Sequence, residues 1–411
     1  MAYGSARLQR WTVWGLAAAV LTGGCDVVLT AAPDPGDLLD APLAGLSPVE
    51  AAAFALGDER FEERFAPSMG LGPIFNNVSC ASCHGGDGRG RPQPEFSNIV
   101  QRLDGAHAVV LGEASATLER RAIPGAEPET APPGAALSQR LPPPVFGLGL
   151  IEAIPEAAIV ANADPDDANG DGISGRPHWV TPAPWVPPTE VGAGPGARLG
   201  RFTRKARVSS ILEQVADAYH KDMGITSDFL AVENDNRRAT VPTHVADRIV
   251  DPEIPAEVVQ QVVFYIRTLA PPAPGPMNAR RREGEQRFHE IGCASCHVPE
   301  LHTGAHAIAA LANQPVGLYS DLLLHDMGDA LADGVGDGDA SPHEWRTAPL
   351  WGLRVMRDFL DGEAFLLHDG RARSVEDAIL LHGGEAASAR DRFSALAPDA
   401  RAALLDFVES R

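Results

Sequence analysis

The sequence predicts a mainly α chain built of two helical halves, and three observations carry that prediction. The pentapeptide Cys-Ala-Ser-Cys-His occurs twice, at Cys80–His84 and at Cys293–His297. A helical pattern runs into each copy, and an amphipathic helical pattern closes each half, at residues 255–269 and 399–409. Between the halves stand four prolines within residues 270–278, which no regular helix or central strand would carry.

The elements follow in order. Arg7 and Arg10 precede an apolar run from Trp11 to Leu21, which is shorter than the roughly 20 residues a membrane-spanning helix needs. Thr22, Gly23 and Gly24 then lead into Cys25. This resembles a bacterial lipoprotein signal over residues 1–25, with Cys25 lipidated as the mature N-terminus; an ordinary secretory signal is the alternative. Both predict export, and the first predicts a lipid anchor on the periplasmic side of a bacterial membrane. Residues 26–44, rich in Pro, Asp and Ala, read as a tether. Ser47-Pro48-Val49-Glu50 is a helix start, with a capping Ser, Pro at the first helical position and Glu at the third. The helix is expected to pass Phe54 and Phe61 and end before Gly70. Residues 123–144 and 181–196 read as loops. Val258, Val259, Val262, Val263 and Ile266 repeat at helical spacing and stop before Pro271. Residues 271–278 are the linker. A helix over 283–291 leads into Cys293, and Leu404, Leu405 and Val408 mark the last one. The expected domains are therefore 45–270 and 279–411.

Cys-x-x-Cys-His is the attachment signature of c-type haem: two thiols form thioethers to one porphyrin and the adjoining His reaches the iron. Cys80 and Cys83 with His84, and Cys293 and Cys296 with His297, thus predict two covalent haems c. Two Cys-x-x-Cys pairs also suit zinc, but a zinc site does not require a His directly after each second Cys. The chain has 5 cysteines, so Cys25 alone lies outside the motifs and no pair is left for a structural disulfide. The repeated layout is that of a cytochrome c-like helical domain occurring twice, with long irregular insertions in the first half between about residues 91 and 252. A net charge of −21 excludes nucleic-acid binding through a basic face and is compatible with a basic redox partner protein.

Further motifs surround the pentapeptides. The first half has Phe75-Asn76-Asn77-Val78-Ser79, Asp87-Gly88-Arg89-Gly90, Gly147-Leu148-Gly149-Leu150-Ile151-Glu152 and Gly172-Ile173-Ser174-Gly175. The second has Leu324-His325-Asp326-Met327-Gly328, Trp345-Arg346-Thr347-Ala348-Pro349-Leu350-Trp351-Gly352, His368-Asp369-Gly370-Arg371 and His382-Gly383-Gly384-Glu385-Ala386. From about residue 45 onward the chain resembles the bacterial di-haem oxidoreductases, thiol oxidoreductase-like proteins related to the di-haem cytochrome c peroxidases and to the methylamine-utilisation di-haem enzyme. The resemblance implies a peroxidase-like oxidoreductase. Electrons would pass from a six-coordinate haem in the second domain to hydrogen peroxide or a related oxidant at the first. It leaves two alternatives, a non-catalytic electron-transfer protein and an oxidase of an organic or protein substrate through high-valent haem. Thiol chemistry gains nothing here, because no cysteine remains for it.

The resemblance also implies site residues. His382 follows the His368-Asp369-Gly370 motif at the relatives' spacing for the sixth ligand of the second haem, where they carry Met or Tyr; Met327 is the alternative. His107 is a candidate reversible ligand of the first haem. Glu152 and Glu156 are candidate acid–base groups for moving the peroxide proton, since burial raises a carboxyl's pKa. Arg346, Arg371 and His368 are candidates for contact with haem propionates. Trp351 would either lie between the haems or pack in the core. Asp167, Asn169 and Asp171, followed by Gly172, match the first half of an EF-hand loop, but His178 stands where its Glu would be. They fit calcium or an ordinary surface turn.

Overall fold

The structure, a computed structural model, describes residues 34–411 except 89, 93–97, 105–106, 111–116, 132–134 and 237, and leaves aside the side chains of 87, 98–104 and 107–110. Residues 1–25 with Cys25, the start of the tether and the side chain of His107 therefore lie outside the described residues. No helix among those described is long and apolar enough to cross a membrane.

Pro35–Arg411 form one compact unit, mainly helical with little sheet. The helices are α1 Pro48–Glu62, α2 Cys80–Cys83, α3 Leu148–Ala153, α4 Glu156–Val160, α5 Ile211–Met223, α6 Ala256–Thr268, α7 Ala279–Glu290, α8 Met356–Phe359, α9 Val375–Leu381, α10 Ala387–Ala395 and α11 Pro398–Glu409. The expected capping box opens α1: Ser47 Oγ accepts from the Glu50 N–H and Glu50 reaches back to the Ser47 N–H.

Both halves are assembled the same way. The helix that leads towards each pentapeptide packs on the helix that closes its half, α1 on α6 and α7 on α11. Each crossing is close because a glycine faces it. A Cβ on Gly57 would stand 2.4 Å from the Gln261 carbonyl oxygen, and one on Gly284 would stand 2.1 Å from that of Ala403. One turn later each helix carries a buried Phe. Phe61 packs at a tilt against Tyr265 with centroids 5.4 Å apart, and Phe288 packs edge-on against Phe407 at 5.6 Å. The same Phe then reaches the motif histidine, with ring centroids 6.3 Å apart in both halves. A larger core spans the first half and takes in Leu301 to Leu323 and Trp351; a smaller one joins Phe288, Phe393, Leu404 and Phe407.

Two expectations are corrected. Residues 35–44 are not a free tether. Leu39 and Ala41 are buried, the Leu43 N–H donates to Thr268 O at 2.7 Å, and the Ala270 N–H donates to Ala41 O at 2.8 Å. Apolar residues alternating among the prolines give this segment one face to bury, which its overall composition hides. Nor is 123–144 all loop. Ala135–Gln139 carries no proline, so its N–H groups pair antiparallel with Asn98–Asp104, which also pairs with His107–Val110.

Candidate haem sites

One turn of helix arranges the first pentapeptide. Ser79 Oγ caps it by accepting from the Ser82 N–H at 3.2 Å, and the His84 N–H donates to Cys80 O at 3.0 Å. Positions i, i+3 and i+4 share a helix face, so Cys80, Cys83 and His84 present together. In the second copy Gly292, at φ 92°, starts a tighter turn, and the His297 N–H donates to Cys293 O at 3.0 Å. The four cysteines form no disulfide.

Each pentapeptide borders a mostly apolar cavity, about 300 Å³ at Cys80, Cys83 and His84 and about 410 Å³ at Cys293, Cys296 and His297. Burial pushes both imidazoles down to about 4, so both are neutral, the form that ligates a metal. His297 donates through Nδ1 to Tyr319 O at 2.9 Å, which leaves Nε2 as the acceptor. His84 Nδ1 is buried without a hydrogen-bond partner. Paired thiols outside any disulfide, a neutral imidazole and an apolar cavity are the donor set and surroundings that a covalent haem requires, and the residues fit the group.

The second cavity gathers much of what the motifs suggested. His382, Met327, Arg346 and His368 all border it. His382 caps α9 and donates through Nδ1 to Ala378 O at 2.6 Å, leaving its Nε2 available. It also acts electrostatically on His297. His368 stacks on Trp345 with centroids 3.8 Å apart and planes 8° from parallel, and Lys205 Nζ lies 3.9 Å from the same ring. Burial pushes the His368 imidazole down to about 4.

Other candidates fall elsewhere. Glu152 borders neither cavity: it pairs with Arg267 at 2.6 Å and accepts from the Ile211 N–H at 2.7 Å, fastening α3 to α5 and α6. Glu156 pairs with Arg198 and accepts from the Leu199 N–H, both at 3.1 Å. Glu152 is buried, but salt bridges consume both carboxylates. Arg371 pairs with Asp369 at 2.6 Å outside both cavities. Trp351 borders the first cavity only and packs against Gly147. Asp167, Asn169 and Asp171 turn their oxygens onto the N–H groups of Gly172, Asp171 and Ile173. This bonding is compatible with either expectation, and among the described residues three other carboxylates, Glu233, Asp247 and Glu253, converge.

The structure adds residues to which no role was assigned from sequence. Asp222, at the end of α5, borders the first cavity, and burial pushes its carboxyl up to about 6. Asn76 borders the same cavity, buried, with Nδ2 lacking a partner. Beside the second cavity His325 sits between two acids, Nε2 2.8 Å from Asp321 and Nδ1 2.7 Å from Glu385. Burial disfavours its charge, but hydrogen bonds to Asp321, Cys296 and Glu385 outweigh that and push it up to about 12. Glu385 also accepts from Ser174 Oγ and the Ser174 N–H, tying the 172–175 turn to the cavity. The two cavities meet: Arg204, Arg346, Ala348 and Pro349 border both.

With this geometry in view, the comparisons are specific at the level of family. Residues 18–120 and 134–411 match the family described as "Di-haem oxidoreductase, putative peroxidase". The chain belongs to the di-haem oxidoreductase family. It is thus a haem oxidoreductase, and the paired cavities agree with the family's two haems. A search of curated proteins finds no match. Among solved structures the chain is similar to the hydrazine synthase of Kuenenia stuttgartiensis, solved under 20 bar of xenon. The two are 14% identical, with 99% of this chain and 100% of that chain covered and a TM-score of 0.38, a likeness too slight to carry an argument.

Proposed function

We propose that the chain is an exported di-haem c-type cytochrome with peroxidase-like activity, each half a cytochrome c-like domain holding one haem. The observation that supports it best is the pair of cavities, each bordered by two cysteines outside any disulfide and a neutral histidine and joined by one wall. Cys80, Cys83 and His84 would hold the first haem; Cys293, Cys296 and His297 would hold the second. His382 is the proposed sixth ligand there, with Met327 as the alternative. When bound, an iron with an open axial position supplies reductive cleavage of a peroxide bond, and a fully ligated iron supplies electron exchange.

The chain's own residues do the rest. Asp222 holds a proton near pH 6 on the wall of the first cavity, where an acid–base group is needed. The Lys221–Asp217 ion pair, 2.7 Å apart, borders the same cavity and sets the charge around it. Asn76 Nδ2 offers a donor with no competing acceptor. Electrons would come from a basic donor protein to the second cavity and cross the shared wall. Reduction of one hydrogen peroxide to two waters takes two electrons and two protons, so a proton-holding group at the first cavity is part of the reading. Export and lipidation at Cys25 rest on the N-terminal pattern.

The test is protein matured with haem-attachment machinery, analysed by intact mass and by optical and EPR titration with and without peroxide. Two covalent haems, one high-spin ferric signal and a spectral response to peroxide are expected. Two low-spin haems inert to peroxide would make the chain an electron carrier; a mass of polypeptide and lipid alone would end the haem reading.

A further inference from the structure

We propose that Arg346, one of the two guanidinium groups in the wall between the cavities together with Arg204, is a shared propionate clamp that binds a carboxylate from the haem on each side. This rests on the di-haem reading above and says what couples the two sites.

Arg346 borders both cavities, in the same strip as Ala348 and Pro349. It lies on the strand Glu344–Arg346, whose neighbour Leu324–Asp326 carries His325, so a paired backbone fixes its place. Its own N–H donates to Arg204 O at 3.0 Å.

Bonding comes next. A guanidinium has five N–H donors and is charged at every physiological pH. Arg346 donates through Nε to Thr203 O at 3.2 Å and through one terminal nitrogen to Thr347 O at 3.3 Å. Both acceptors are neutral carbonyls. Among the described residues it makes no ion pair. Asp321 attracts it from a distance, but that carboxylate is committed to His325 at 2.8 Å and to the Leu323 N–H at 3.0 Å. Burial acts against its charge. A desolvated cation without a counter-charge is costly, and among the described residues none pairs with it. Its neighbours Arg140, Lys205 and Arg207 differ, since each is matched by Asp333 or Asp337. The missing anion must come with whatever fills the cavities, and haem brings two carboxylates per porphyrin. A planar fork suits that group, because it binds carboxylate oxygens through two parallel hydrogen bonds. Because the residue borders two cavities, one side chain can serve two haems.

Such a clamp has an electrostatic consequence. A cation held beside both porphyrins favours the reduced form of each, so one substitution must lower both potentials. The experiment is a spectroelectrochemical titration of the holoprotein with Arg346→Gln and Arg346→Lys, with resonance Raman spectra of the propionate bending bands. Haem content is measured alongside. In Arg346→Gln both couples are expected to fall by about tenfold in reduction equilibrium, ~59 mV for one electron, and the propionate bands of both haems to shift. Arg346→Lys keeps the charge and loses the fork; both couples then move by less while both sets of bands still shift. Arg371→Gln, outside the cavities, leaves all of these unchanged. With two haems retained per chain, movement of one couple only, or of neither, overturns the clamp and leaves the di-haem reading intact. Should Arg346→Gln not retain haem, Arg346→Lys decides on the same criterion. A wild-type chain without two haems overturns both.

Discussion

Replacing His325 with Leu is expected to be the most destabilising single change beside the second cavity. The imidazolium neutralises two acids whose side chains are 1% and 14% exposed, Asp321 and Glu385. Removing it leaves two buried carboxylates facing an apolar side chain, a loss of about 3–5 kcal/mol for a broken buried ion pair. The pH window follows from the two shifts. His325 is raised from 6.5 to about 12, so its contribution is complete below pH 6.5 and fades as pH climbs towards 12. Glu385 is lowered from 4.5 to about 2, so its contribution is complete above pH 4.5 and fades as pH drops towards 2. The wild-type triad is therefore at full strength between about pH 4.5 and 6.5. Urea unfolding of the holoprotein near pH 6, followed by Trp fluorescence and the haem absorbance, measures the loss. A triple variant, Asp321→Asn with His325→Leu and Glu385→Gln, removes the orphaned charges and should recover more than half of it. A loss below about 1 kcal/mol for His325→Leu, or a triple variant as unstable as the single one, would refute the buried-charge argument.

Three other outcomes are expected. Gly284→Ala, ordinarily worth up to about 1 kcal/mol in a helix, should instead cost about 1–3 kcal/mol, because the new Cβ meets the Ala403 carbonyl at 2.1 Å; thermal unfolding checks the sign. Asp222→Asn should slow peroxide-driven haem oxidation by about 10²-fold and abolish the decline as pH rises through about 6, where Asp222 loses its proton; stopped-flow pH profiles of both proteins test this. Glu152→Ala should cost about 1.5–3 kcal/mol in urea unfolding, because Arg267 keeps Glu190 as a partner, and leave the haem spectra and peroxide response unchanged, since its carboxylate is bonded to Arg267 and Ile211 away from either cavity.

Much of the helical frame was legible. Ser47-Pro48, the 258–266 repeat and the two pentapeptides are local signals, and the helices at 48–62, 256–268, 279–290 and 398–409 lie where they point. What could not be read was anything set by partners distant in sequence. Glu152 has the apolar neighbours expected of an acid–base residue, but Arg267, on a different helix, turns it into a brace. Asp222 has no motif around it; it matters because α5 ends beside Cys83. The Gly57/Phe61 and Gly284/Phe288 spacing was visible in the sequence as Gly-x-x-x-Phe ahead of each pentapeptide. It acquires meaning only when the crossing helices show why a Cβ has no room.

The choice between His382 and Met327 turns on which can deliver an atom to the second iron. Both side chains border the cavity, so proximity does not separate them. Hydrogen bonding does. Nδ1 of His382 is held by Ala378 O at 2.6 Å, which fixes the ring and keeps Nε2 unprotonated, as His297 is fixed by Tyr319 O at 2.9 Å. Burial lowers both imidazoles, so neither competes for a proton at neutral pH. Met327 is anchored only through its backbone, its N–H donating to His343 O at 3.0 Å. A bis-imidazole site also predicts a lower potential than one with a thioether ligand. His382→Ala should therefore convert the second haem from low to high spin, while Met327→Leu leaves its spectrum intact. A methionine-to-iron band in the near infrared that survives in His382→Ala would give the position to Met327.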